Sequence, residues 1–341
     1  MKSLFVEEKY IMHVKEIERP VPEKGKAIVK IHMSGVCGTD VHSYSGNNAN
    51  TVYPLVIGHE AVGTIIQIEE ENEQGLKAGD RVVMEPYIGC GKCYACIQGR
   101  YNACIDLKTR GIHFDGMMTE EISHPVEKIY KIPEQITDRQ ACMIEPFTIG
   151  IQATRRVRLK KGEYGVIIGA GAIGLVCAMV VKAYGGVPIL LDPVEGRLEK
   201  AREMGFQYTF NNMKGDLETY LAEITSGTMP SIIYECSGAK PILENIHNLI
   251  SVCGRIILIG WPHVPYSHID TSHITRKELD VIGSRCSCNC FPEAIELIKS
   301  SQVDADIFIS HIIEMKEAAE VFEDMIADPG KYMKVIIKCQ Q

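Results

Sequence analysis

No apolar run in the sequence approaches the roughly 18 residues that a membrane-spanning helix needs. There is also no block of lysine and arginine, no internal repeat, no low-complexity tract and no linker-like stretch. Each absence excludes a class of protein. Lys+Arg total 36 against Asp+Glu 44, a formal net charge of -8, so nothing attracts a phosphate backbone or anionic lipid. Neither nucleic acid nor a membrane is expected as a partner. The opening MKSLFVEEKY turns acidic before an apolar core can form, which argues against a secretory leader and for a cytoplasmic chain. With 341 residues, 45% hydrophobic and 23% charged, the composition is globular and leaves room for two separate cores.

Cysteine, by contrast, is plentiful. An odd number, 13, in a chain expected in a reducing compartment points to free thiols and metal ligands rather than a disulfide framework. Their clustering therefore matters. "CGKCYACIQGRYNAC" places Cys90, Cys93, Cys96 and Cys104 in the order C-x2-C-x2-C-x7-C. Four thiolates this close can close a tetrahedron around one zinc with no open position, the profile of a structural site. Iron-sulfur clusters use similar spacing, but zinc is preferred because the same domain carries a second set of zinc-type ligands. Four unliganded thiols would leave reactive sulfur in a loop with no core to hide it.

That second set begins at "SGVCGTDVH", where Cys37, Thr39, Asp40 and His42 fall within nine positions. Cys37 could be a nucleophile with His42 as its base. However, "GHE" adds His59 and Glu60, and "IEPF" adds Glu145. A mixed set of sulfur, nitrogen and oxygen donors with room for water or substrate describes a catalytic zinc.

Organisation along the chain supports two domains. Residues 1 to 147 hold short β-type runs such as 27–33 and 81–84 between Gly, Pro and Asp punctuation, predicting an irregular, mostly β domain with a metal lobe at about 88–106. From 148 to 285 apolar strands at 165–169, 187–191, 207–210, 231–235, 254–260 and 279–283 are separated mostly by helix-length segments. This rhythm predicts α/β structure with a doubly wound, six-stranded parallel sheet. Residues 286–341 supply two helices and a last strand, KYMKVIIK, and return to the first domain.

Within the sheet domain, "VIIGAGAIG" carries Gly169, Gly171 and Gly174 in G-x-G-x-x-G spacing, after a strand and before an apolar helix. Asp192 ends the next strand, 18 residues past Gly174. In that context the motif predicts a dinucleotide site, with the pyrophosphate at the helix N-terminus and Asp192 on the adenosine ribose. The carboxylate repels a 2'-phosphate, so NAD is expected over NADP. Arg197 is the one nearby basic residue that could argue otherwise. "ECSG" and "GSR" close the fourth and sixth strands, where such folds bind ligands, making Ser237, Ser284 and Arg285 candidate cofactor contacts.

The four motifs "CGTDVH", "GHE", the four-cysteine lobe and "GAGAIG", in this order, resemble the zinc-dependent medium-chain dehydrogenase/reductase family of the alcohol dehydrogenase superfamily, and the resemblance spans essentially the whole chain. It implies a GroES-like catalytic domain with a Rossmann domain, two zinc ions per chain, NAD and a small-molecule substrate. It further implies that Cys37 and His59 are zinc ligands, Asp40 orients the histidine ring, and Thr39 and His42 relay a proton. Alcohol dehydrogenases carry cysteine as third ligand; here Glu145 stands at that position, as in the polyol and sugar-acid branch, and Glu60 is the alternative. "MIEPFTI" and "GIHFDG" resemble the L-galactonate 5-dehydrogenases and starvation-sensing dehydrogenase-like proteins within that branch. The implied reaction is hydride transfer from a secondary alcohol of a sugar acid or polyol to NAD.

Met117 and Met118 depart from the branch's usual Gly-Phe and are expected to reshape the pocket wall. An aldonate carboxylate needs a cationic partner, for which Arg110, His113 and Arg285 are candidates. Cys286, Cys288 and Cys290 alternate too tightly for one tetrahedral metal and read as ordinary thiols, as do Cys142 and Cys177 in apolar runs. The histidines of "HVPYSHIDTSHIT" lack ligand spacing. Tyr94 and Tyr101 on the lobe are candidate contacts in a homo-oligomer, a dimer or tetramer. Two rivals remain: a zinc- and NAD-binding regulator without turnover, which would not need the relay, and a metal-free NADPH quinone reductase, which the zinc ligands and Asp192 oppose.

Overall fold

The computed structural model describes residues 1–340 except 70 and 262–269. The chain divides into two compact units, Met1–Pro146 with Cys288–Gln341, and Phe147–Ser287. The first is built on a seven-stranded sheet, whose central strand Lys26–Gly35 pairs antiparallel with Glu60–Gln67 on one side and with Lys334–Lys338 on the other. The sequence KAIVKIHMSG suits this place, since alternate positions 27, 29 and 31 are apolar and bury one face while Lys30 on the other is exposed. Ala27, Val29 and Ile31 are fully buried and join the unit's core with Val82, Phe322 and Ile337. Met117 and Met118 are also at 0% exposure within this core. They fill the domain interior rather than an open pocket wall, with Met118 Cγ packed against Gly58.

One polar cluster fastens this sheet to the helix that follows it. His32 Nδ1 lies 2.7 Å from Asp138 Oδ2, its Nε2 3.1 Å from Thr64 Oγ1, and Arg81 donates to Asp138 Oδ1 at 2.5 Å. The His32 hydrogen bond, reinforced by Arg81 and opposed by burial, holds the Asp138 carboxyl at about 2. A carboxyl whose pKa is lowered on folding stabilises the protein above its unfolded value and loses that contribution as pH falls through the folded one. Asp138→Asn should therefore lower stability at neutral pH by about 1 kcal/mol, the part of the shift that survives solvent screening. It should also flatten the fall in stability between pH 4 and 2, as read by urea unfolding; an unchanged acid limb would show that the cluster carries no such weight.

The second unit is a six-stranded parallel sheet. Its strands Tyr164–Ile168, Val187–Leu191, Tyr208–Phe210, Ile232–Glu235, Arg255–Leu258 and Asp280–Gly283 lie in spatial order 3-2-1-4-5-6. The doubly wound fold read from the apolar rhythm is observed, each strand within a residue or two of its expected place. The central strands are continuous apolar runs because both faces are covered; Val166, Ile189, Ile233 and Ile256 form the core with Leu221 and Ile246. The order reverses between the first and fourth strands, and the crevice at their carboxyl ends is where such sheets bind ligands. Among the described residues no helix is long and apolar enough to cross a membrane.

Candidate functional site

The central strand of the first unit ends at Gly35, and two residues later Cys37 caps the helix Gly38–Tyr44. Asp40 makes this corner rigid. Its carboxylate is fully buried and accepts the Cys37 N–H at 2.9 Å and the Gly58 N–H at 3.1 Å, and its Oδ1 lies 3.4 Å from His59 Nδ1. The "GTD" and "GHE" motifs are thus held together by one carboxylate. Gly58 is required here: its φ is +97°, and a Cβ would come within 2.5 Å of Met118 Cγ. Burial opposes a charged His59 ring, but the neighbouring Asp40 and Cys37 outweigh it and push its pKa well above the ordinary value.

The sulfur of Cys37, a ring nitrogen of His59 and a carboxylate oxygen of Glu60 all lie within 4.8 Å of one another. These donors suit a divalent ion of intermediate softness, and His59 Nδ1, buried and without a full hydrogen bond, fits a ring held by a carboxylate on one side with its other nitrogen available as a ligand. The two glutamates are expected to exchange or share the third position; the structure gathers Glu60 with Cys37 and His59, while Glu145 is not part of that group. Glu145, in the first turn of the helix Ile144–Val157, accepts a hydrogen bond from the Tyr87 hydroxyl. Burial, with Glu60 adding to it against the pull of His59, raises its pKa to about 7. Thr39 Oγ1 stands 3.6 Å from Cys37 Sγ, and His42, one helical turn on, is exposed to solvent.

Two residues at this site had no assignment from sequence. Tyr87 is 4% exposed and fixes Glu145. Lys334, 4% exposed at the start of the last strand, reaches both oxygens of Glu60 at 2.8 and 2.7 Å. The only sequence signal for it is a lysine at the head of the apolar run VII, which by itself reads as a strand end.

The second cluster is the lobe. Cys90, Cys93, Cys96 and Cys104 present their sulfurs within 4.8 Å of one another, the other of the two such groups among the described residues. Backbone N–H groups converge on them: Cys90 and Asp106 donate to Cys104 Sγ at 3.2 and 3.3 Å. Backbone hydrogen bonds from Cys96 and Ile105 lower the Cys93 thiol to about 6, while burial first and then Cys93 itself raise Cys96 to about 12. A loop that aims N–H groups at sulfur is built to hold thiolates, and four of them in this space fit one closed tetrahedral ion. Tyr101 is half-buried. Its ring carries Lys128 Nζ at 3.5 Å from the centroid and its hydroxyl accepts the Asn289 N–H at 2.9 Å. Tyr94 is 80% exposed. Cys286 and Cys288 are half-buried and Cys290 buried, outside both clusters.

Arg110 also changes role. Nine-tenths buried, it donates to His124 Nδ1 at 2.9 Å, to the Asp115 carbonyl at 2.9 Å and to the Ser123 carbonyl at 2.5 Å. Its guanidinium is consumed by the fold, and burial lowers its pKa to about 10. It cannot serve as a partner for a substrate carboxylate. His113 Nδ1 likewise accepts the Thr109 N–H at 3.1 Å.

In the second unit the glycine motif forms the turn between the first strand and the helix Ala172–Ala183. Gly169 has φ +98°, and a Cβ on Gly174 would overlap the Gly169 carbonyl. Nothing lies within 4 Å of a Cβ built on Gly171, so the backbone there is open to a ligand's approach. Asp192, 2% exposed, accepts the N–H groups of Ala170 and Val194, each at 2.8 Å, and Arg197 lies 3.5 Å from its Oδ2. Ser237 follows the fourth strand, where its hydroxyl donates to Glu235 at 2.5 Å and its Cβ sits against Gly169. Ser284 and the exposed Arg285 follow the sixth strand, and the Ser284 hydroxyl is buried with no hydrogen-bond partner among the described residues. Residues 262–269, holding two of the histidines in the 263–275 stretch, lie outside the described residues; the third, His273, packs at a tilt against His247 with ring centroids 4.2 Å apart.

A GroES-like unit with two ligand clusters and a Rossmann sheet with an open glycine turn defines a zinc-type dehydrogenase. Residues 23–134 match the alcohol dehydrogenase GroES-like domain and residues 172–300 the zinc-binding dehydrogenase domain. The chain is 38% identical over 335 residues to an uncharacterized zinc-type alcohol dehydrogenase-like protein of Haemophilus influenzae, covering 98% of each. It is 31% identical to the L-galactonate-5-dehydrogenase of Escherichia coli, covering 95% of this chain and 94% of that one. Among solved structures, the alcohol dehydrogenase RspB of Escherichia coli, complexed with NADH, superposes with a TM-score of 0.92 at 34% identity over 99% of both chains. The chain therefore belongs to the zinc-type alcohol dehydrogenase family, whose members are oxidoreductases acting on CH–OH groups.

Proposed function

We propose that this chain oxidises a secondary alcohol of a sugar acid or polyol with NAD, using one zinc at Cys37, His59 and a glutamate and a second zinc at the four-cysteine lobe. The observation that carries this reading is the meeting of Cys37, His59 and Glu60 donor atoms within 4.8 Å beside Thr39. When bound, the catalytic zinc brings the substrate hydroxyl's pKa toward neutrality and NAD accepts the hydride. The chain's own residues do the rest. Asp40 holds the His59 ring in one orientation, and Cys37 is fixed by the same carboxylate, so both ligands are set before substrate arrives. Thr39 Oγ1 takes the substrate proton and His42, exposed one helical turn away, passes it to water. Gly169, Gly171 and Gly174 receive the pyrophosphate at the helix N-terminus, while Ser237, Ser284 and Arg285 are the proposed contacts at the strand ends.

Asp192 supports NAD over NADP. Two backbone N–H groups fix its carboxylate, and Arg197 is paired with it, so a 2'-phosphate would meet a held negative charge. The sugar-acid substrate class rests on similarity to L-galactonate-5-dehydrogenase. A cytoplasmic homo-oligomer belongs to the same reading; exposed Tyr94, Ile97 and Ile105 on the lobe support a subunit contact.

The test is absorbance at 340 nm with L-galactonate and other hexonates against sorbitol and threonine, each with NAD and NADP. Hexonates with NAD are expected to give the highest kcat/KM. A preference for sorbitol with no aldonate turnover would refute the substrate class and leave the oxidoreductase standing, and better use of NADP would refute the role given to Asp192.

A further inference from the structure

We propose that Arg110 is a positioning residue for the catalytic metal, its guanidinium bracing the bend 111–116 against residues 56–58 and thereby setting where His59 and Glu60 stand. The inference rests on the zinc reading of the Cys37, His59 and Glu60 cluster and concerns how that cluster is held. Arg110 is 8% exposed, and each arm of its planar fork meets a different acceptor: Nε the His124 ring, Nη1 the Asp115 carbonyl and Nη2 the Ser123 carbonyl. Asp115 lies in the bend. His124 and Ser123 lie on the strand Glu121–Pro125, which pairs with the central strand through Ala27 and Ile28. The guanidinium therefore ties the bend to the middle of the sheet. Because His124 Nδ1 accepts from Arg110, the ring's own proton sits on Nε2 and is donated to the Glu85 carbonyl at 3.1 Å. Burial, with the Arg110 charge beside it, pushes the pKa of this ring well below its ordinary value, so it stays a neutral acceptor for the fork. Three divergent acceptors in one plane suit arginine, and a lysine ammonium cannot reach all of them.

The braced bend lies on the turn that leads into the ligands. The Val56 N–H donates to Asp115 Oδ1 at 2.9 Å, and the N–H groups of Gly116, Met117 and Met118 donate to the carbonyls of Val56, Gly58 and Ile57 at 2.7, 2.9 and 3.0 Å. The two segments meet backbone on backbone. A Cβ on Gly111 would come within 2.7 Å of Gly58 N, and one on Gly116 within 2.5 Å of Gly58 O. No side chain fits between them, so any shift of the bend is passed to the peptide before His59. Asp40 holds the Gly58 N–H from one side, at 3.1 Å, and the Met117 N–H holds its carbonyl from the other. His59 follows directly, and Glu60 opens the strand Glu60–Gln67. The two donors of the "GHE" motif thus stand on a backbone fixed from both sides, and outer supports of this kind decide how well ligands are placed for the ion.

Arg110→Lys keeps the charge and loses the fork. In the holoenzyme of this variant the catalytic zinc should pass to a chromophoric chelator about tenfold faster than in wild type, and kcat/KM should fall about tenfold. The slower lobe phase should keep its wild-type rate. Asp115→Ala, at an exposed side chain, removes only the contact with the Val56 N–H and should speed release in the same direction by less; it stands in if Arg110→Lys is poorly folded. With cobalt(II) in place of zinc, the ligand-field bands of the catalytic site should shift in both variants. Release from Cys37→Ser lacks the catalytic-site phase and so identifies it in the wild type. If Arg110 supports only the fold, the variants unfold at lower temperature while release and cobalt bands, read well below that temperature, match wild type; that result overturns the proposal. If the Cys37→Ser and wild-type traces match, the zinc reading fails and the bracing role with it, an outcome distinct from a catalytic-site phase that Arg110→Lys leaves unchanged.

Discussion

Replacing Cys37 by serine is expected to cut turnover by about 10³–10⁴-fold, the several kcal/mol of charge stabilisation that a Lewis-acid metal supplies. A neutral serine hydroxyl is a poor substitute for a thiolate, and the two remaining donors cannot hold the ion in an open site. The effect should be confined to the first unit. In the proposed reading NAD is held by the glycine turn and Asp192 of the second unit, so its dissociation constant should change by no more than about threefold, less than 1 kcal/mol. Elemental analysis of the variant should find one zinc per chain in place of two. A tenfold loss of NAD affinity, or an unchanged zinc content with full turnover, would refute the assignment of Cys37.

Cys93→Ser is expected to act on folding instead. Backbone N–H groups of Cys96 and Ile105 point at its sulfur and lower its pKa to about 6. The loop around it carries exposed Tyr94, Ile97 and Ile105 and buries little of its own, so it depends on the ion for its order. Loss of one thiolate opens a closed tetrahedral site, and thermal unfolding should fall by about 10 °C, roughly 3–5 kcal/mol for a unit of this size. Residual soluble enzyme should retain its KM for NAD. Wild-type stability with two zinc ions still bound would show that the lobe is not a closed structural site.

Much of this architecture was legible in the sequence because its signals are local. A parallel sheet buried on both faces must be written as short apolar runs, and six of them appear at the observed places from Tyr164 to Gly283. A backbone that turns under a pyrophosphate needs glycine at fixed offsets, so Gly169, Gly171 and Gly174 announce the turn in the sequence itself. Four thiols in "CGKCYAC" and the following "NAC" are close in space because they are close in the chain. In each case covalent spacing brings the groups together.

Where distant segments meet, local reading went astray. Arg110 looks like a surface cation beside "GIHFDG", yet His124 and the carbonyls of Asp115 and Ser123 enclose it. Met117 and Met118 look like pocket residues and are core. Tyr101 looks like an outward aromatic and lies beneath Lys128. Nothing in the local pattern of any of these says which strands will cover it.

The sequence by itself determined the two-unit fold, the glycine turn, the four-cysteine lobe and the candidate pair Cys37 and His59, since each is encoded within a stretch short enough for spacing to fix geometry. The tertiary structure alone decided which glutamate stands with them. Glu60 reaches the cluster because its strand pairs with Lys26–Gly35, and Lys334 reaches Glu60 because the chain's last strand pairs with that same strand from the other side. Those pairings join residues 274 positions apart. They depend on which strands become neighbours in one sheet, and a buried cation facing a buried carboxylate becomes visible only when that neighbourhood exists.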